Sequence, residues 1–226
     1  MQKIDTPSLQ TLLKLLTCVL ICRIVIAVLL SYRDYMPPNF DADFLLGRKS
    51  YFFGNYQWAF YTHITSGPCS LILGMILLSE QVRQRYPALH RCLGRIQVAC
   101  VLLLVAPSGL WMAWQAHAGV VAETGFGSLA IATAFCVALG WRSAVRRRFA
   151  EHRRWMSRCF ALLFSAIVLR FIGGMATVVG YESEWTYSIA AWASWLLPLC
   201  AYEVSRVKSW EQKSGERQGV SPPSVL

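Results

Sequence analysis

Six apolar stretches, each near the length that crosses a bilayer, leave this chain few folds. They cover residues 9–32, 57–79, 93–114, 125–141, 155–179 and 185–204. A spanning helix needs about 20 mostly apolar residues. Backbone in lipid must satisfy its own hydrogen bonds, so the stretches are expected to be helices. The short alternating segments of a membrane β-barrel are not found. Composition agrees: 55% of residues are apolar and 15% charged, where a soluble domain carries roughly 25% charge. The predicted fold class is an all-α membrane protein. It is a six-helix transmembrane bundle with spans two to five as its core. One domain covers residues 1–210, and a polar tail over 211–226 is predicted to be disordered.

Basic residues set the expected orientation. Lys3, the 80–95 segment, the arginine-rich 142–158 segment and the 206–217 segment together carry sixteen Lys and Arg. The opposite loops carry Arg33, Arg48 and Lys49 alone. The positive-inside rule then places both termini in the cytoplasm. The compartment expected is the bacterial inner membrane, crossed several times. The first stretch is too long for a cleavable signal and reads as an anchor. A net charge of +10 belongs to these inner loops. They suit anionic lipid headgroups and do not point to nucleic acid.

Some chemistries find no support. No phosphate-binding loop or dinucleotide fingerprint occurs, and no carboxylate shares the depth of a histidine–serine pair. The eight cysteines form no paired zinc pattern and read as small packing residues.

Histidines and membrane-embedded arginines carry what chemistry there is. His90 and His152 open spans three and five at the cytoplasmic side, each followed closely by arginines: Arg91 and Arg95, then Arg153, Arg154 and Arg158. Two neutral imidazoles from different helices can ligate a haem b iron, and guanidinium suits its propionates. Gly94, one turn below His90, leaves room for a flat ligand. Equally, these are interfacial histidines among lipid-binding arginines. His63 lies inside span two, one turn before Gly67-Pro68, and His117 lies just past span three. Arg170 sits near the middle of span five and Arg23 in span one, with no carboxylate at their depth. Arginine there is costly and marks a partner, cavity or anion. His63 and Arg170 are therefore a second candidate region, for a quinone or another acceptor.

The pattern of residues resembles a prokaryotic family of predicted membrane proteins catalogued as domain of unknown function 2306. Residues carrying the likeness are His63 with Gly67-Pro68 and Gly74, then Leu89-His90-Arg91 with Gly94-Arg95. Ser108-Gly109-Leu110 and Gly125-Phe126 follow, then His152-Arg153-Arg154-Trp155-Met156 with Arg158 and Leu169-Arg170. A more distant likeness is to di-haem transmembrane cytochromes. It implies a six-helix body with histidine pairs on a four-helix core, Leu89-His90…Gly94 being the similar block. The leading expectation is a membrane redox protein with one haem between His90 and His152. Its rival is a lipid-binding protein or small-molecule carrier with a cavity lined by His63 and Arg170.

Overall fold

The computed structural model describes residues 9–42, 44–116, 118–181 and 183–218. Every regular element among them is helical: α1 (Leu9–Leu30), α2 (Lys49–Phe52), α3 (Asn55–Leu78), α4 (Glu80–Arg85), α5 (Pro87–Cys100), α6 (Ala106–Trp114), α7 (Gly119–Val145), α8 (Phe149–Leu163), α9 (Ser165–Val179) and α10 (Glu184–Gln218). Among the described residues, four stretches are long and apolar enough to cross a membrane: Asn55–Leu78, Pro87–Trp114, Gly119–Val145 and Phe149–Val179.

Helix ends depart from the hydropathy reading for local reasons. The fourth apolar run, 125–141, becomes 27 residues of α7. Glu123 and Thr124 interrupt its hydropathy, but Thr124 Oγ1 donates to the Val120 carbonyl at 2.7 Å, so its hydroxyl is satisfied within the helix. Span three is not one regular helix. A π-helical turn over Val101–Val105 joins α5 to α6, and the Ala106 amide donates to the Val101 carbonyl five residues back. Pro107 follows directly and cannot donate to the helix ladder. Span five divides at Phe164 into α8 and α9. Helix α10 continues to Gln218, and residues 219–226 of the polar tail lie outside the described residues.

The chain forms two compact units, residues 1–57 and 58–226. In the first, the loop after α1 gathers aromatic rings. Phe52 is fully buried and meets Phe40 and Tyr56 edge-on, at 5.3 Å and 6.1 Å. Arg48 is also buried; it donates to the Phe44 carbonyl and lies 4.3 Å from the centre of the Phe44 ring.

The second unit is a helical bundle with α7 packed against α6, α8 and α10. Lipid tails are as apolar as leucine, so helices in a bilayer associate through close packing of small residues. The core follows that rule. Val101, Cys136, Val137, Cys159, Leu162 and Trp195 form one buried cluster. All eight cysteines are free. At Gly140 a methyl group would lie 2.6 Å from Met156 Sδ, so α7 and α8 touch where no side chain fits. Gly74 similarly meets the Phe160 ring, bringing α3 to α8. Polar contacts join α5 to α3: buried Gln97 donates through Nε2 to Ser70 Oγ at 2.9 Å and the Ser70 carbonyl at 3.0 Å, and Cys100 Sγ lies 3.8 Å from the Ser66 carbonyl. The α7–α8 connection is tight, with Arg147 in the left-handed region at φ 58°.

Candidate functional site

His90 and His152 both sit in the first turns of their helices, as their sequence neighbours imply. His152 is oriented by α7, since its Nδ1 lies 2.9 Å from the Gly140 carbonyl. A carbonyl only accepts, so Nδ1 carries the proton and the neutral ring keeps its lone pair on Nε2. His90 Nδ1 is buried and has no hydrogen-bond partner among the described residues. His152 and Arg83 are both close enough to act electrostatically on the His90 ring, so the two rings belong to one neighbourhood. Gly94 follows one turn later, with no atom within 4 Å of where its methyl would stand. Three residues deeper, Gln97 Oε1 is buried without a partner among the described residues. An unpaired buried carbonyl is costly and marks a place where a donor belongs.

The arginines divide into two groups. Arg91, Arg95, Arg153 and Arg154 are exposed. Arg158 is engaged elsewhere. Its Nε donates to Glu203 Oε1 at 2.6 Å, and its guanidinium lies 4.6 Å from the centre of the Trp155 ring. Glu203 Oε2 accepts from Arg206 at 2.9 Å, so one carboxylate on α10 serves two arginines. Sequence reading missed Glu203, although it is the one carboxylate inside the final apolar run. Arg158 and Trp155 stand three apart on α8 and share its face.

A second polar group occupies the other half of the bundle. His63 Nδ1 lies 3.1 Å from Ser108 Oγ, and the ring covers Gly109, where a methyl would come within 3.1 Å of Cε1. Ser108 is buried and points its hydroxyl at the Leu104 carbonyl, 2.5 Å away. Arg170 is close enough for its charge to act on His63, and its guanidinium donates to the Ala166 carbonyl at 3.0 Å. In the sequence Ser108-Gly109 entered through the family resemblance; the side-chain role of Ser108 needed the π turn to be seen. His117 lies outside the described residues. Arg23 is exposed on α1, beside Cys22.

Among the described residues, no three His, Cys, Asp or Glu side chains gather as a metal-binding group. That leaves a two-histidine haem site open, since the porphyrin supplies the other four ligands. The family model described as "Predicted membrane protein (DUF2306)" matches residues 60–204. This range holds both histidine regions and Glu203. No curated protein and no solved structure matches the chain. The likeness to di-haem cytochromes therefore rests on the residues quoted above.

Proposed function

Since the chain belongs to the family of predicted membrane proteins designated DUF2306, we propose that it is a redox protein of the bacterial cytoplasmic membrane, holding one b-type haem between His90 and His152. The observation that carries this reading is the state of the two rings. Gly140 fixes the His152 tautomer so that Nε2 offers a lone pair, and a backbone carbonyl behind a ligating histidine is the usual second support of a metal ligand. His90 brings a buried, unpaired Nδ1 to the same neighbourhood. Gly94 leaves open space beside it. The bound group supplies one-electron chemistry that no side chain here offers. Arg91, Arg95, Arg153 and Arg154 present guanidinium groups to its propionates, while Arg158 stays with Glu203.

The same proposal takes the chain as six spans, with α1 and α10 added to the four central ones and both termini inside. The distribution of Lys and Arg supports that orientation. The exposed inner arginines also suit anionic lipids. Electrons then pass between the cytoplasmic half of the bundle and an acceptor or donor near His63 and Arg170.

Protein purified from haem-fed cells tests the reading. The expected result is a Soret band with a reduced-minus-oxidised difference spectrum, lost in His90→Ala and in His152→Ala. Colourless protein refutes it. That outcome favours the second reading, a lipid-binding protein or small-molecule carrier, which draws on the placing of an arginine beside His63 at membrane depth.

A further inference from the structure

We infer that His63 is the recognition residue of a separate site that takes the reduced form of a membrane quinone, a 1,4-dihydroxyaryl headgroup, in preference to the oxidised form. The inference goes beyond the haem reading and does not depend on iron. It starts from one proton. The Ser108 hydroxyl has a single hydrogen, and the Leu104 carbonyl at 2.5 Å takes it. Its oxygen must then act as acceptor toward His63 Nδ1, 3.1 Å away. Nδ1 of the neutral imidazole is therefore the protonated nitrogen, and Nε2 carries the lone pair. The ring is also held in place, because it lies against Gly109 with no room for a methyl between them. Among the described residues Ser108 makes the one hydrogen bond His63 has, so Nε2 is left to a ligand.

A fixed lone pair selects its partner. A hydroxyl can donate to Nε2 and accept from a nearby guanidinium through the same oxygen. A quinone carbonyl cannot donate, and would set its own lone pairs against that of Nε2. Arg170 is close enough for its positive charge to act on this ring. Open positions lie one turn away on both helices. Gly67 is one turn from His63 on α3 and shares its face, and no atom lies within 4 Å of where its methyl would stand. Gly173 and Gly174, one turn from Arg170, likewise have no atom within 4 Å of where a methyl would stand. The surroundings are apolar, with Phe171 exposed beside Arg170, which suits entry from the bilayer rather than from water.

The experiment measures binding of decylubiquinol, kept reduced under nitrogen, and of decylubiquinone to the detergent-solubilised full chain by titration calorimetry. The reduced form is expected to bind at least tenfold more tightly than the oxidised form. His63→Leu should remove that preference and weaken the reduced form at least tenfold. Gly67→Leu keeps every polar group and fills the opening, so it should weaken both forms at least tenfold. Equal affinity for the two forms, tighter binding of the quinone, or binding unchanged by both variants overturns the proposal. So does loss of a Soret band in His63→Leu, which would make the ring an iron ligand. Loss of that band in His90→Ala or His152→Ala alone concerns the haem reading and leaves this one standing.

Discussion

Gly140→Ala is the substitution through which the α7–α8 contact is best weighed. The new methyl would stand 2.6 Å from Met156 Sδ, 3.3 Å from its Cγ and 3.5 Å from Trp155 Cβ. Ordinary carbon contacts begin near 3.5 Å, so the thioether must retreat by about 1 Å. Methionine is flexible enough to do so, at an off-rotamer cost of about 0.5–1.5 kcal/mol. Any shift of α8 also misaligns the bond from His152 to the Gly140 carbonyl, worth about 0.5–1.5 kcal/mol net. Alanine in a helix interior returns about 1 kcal/mol over glycine. The net expectation is a loss of about 1 kcal/mol. In a Met156→Ala background the clash is gone and only the helix gain remains, so the same substitution should stabilise by up to about 1 kcal/mol. Unfolding in mixed micelles, followed by helical circular dichroism, reads both values. Effects that agree within about 0.5 kcal/mol in the two backgrounds would mean no coupling, and would refute the contact and its role in holding His152.

Glu203→Gln should cost about 1–2 kcal/mol in the same assay, because it strands a half-buried Arg158; Glu203→Arg combined with Arg158→Glu should recover part of that loss. Ser194→Ala should be neutral or stabilising by about 1 kcal/mol, because Ser194 Oγ is buried without a partner among the described residues; a clear loss would show that an ordered water serves it. Reporter fusions after Arg148 and after Arg217 should report cytoplasm, and one after Asp41 the outer side. A cytoplasmic signal at Asp41 reverses the orientation.

The helices were legible because lipid demands long apolar runs, and that demand is written into local sequence. Their irregularities were less so. The run 93–114 gives no hint of a π turn beyond Pro107, since an extra residue in a turn is settled by neighbours distant in sequence. The two histidine regions were visible as residue types at similar depths. Their partners were not. Gly140 takes part through its carbonyl, which every residue has. Ser108 matters through which way its single hydroxyl proton points. Arg158 read as one more arginine in a basic cluster until Glu203, 45 residues later, was seen to hold it. Such pairings depend on which helices become neighbours, and periodicity along one helix does not contain that information.

The π turn in span three also works as a phase shift. In a regular helix each residue advances about 100°, so a residue eighteen places after His90 would return to the same angle. That residue is Ser108. One extra residue in the turn sets everything after it back by about 100°, so Gly109 inherits the angle and Ser108 moves to its flank. This brings a bare backbone under the His63 ring and a hydroxyl to its edge. The two halves of this span, α5 and α6, are thus indexed separately. Deleting a single residue from Val101–Val105 should rotate α6 away from His63 while His90, Gly94 and Gln97 stay where they are.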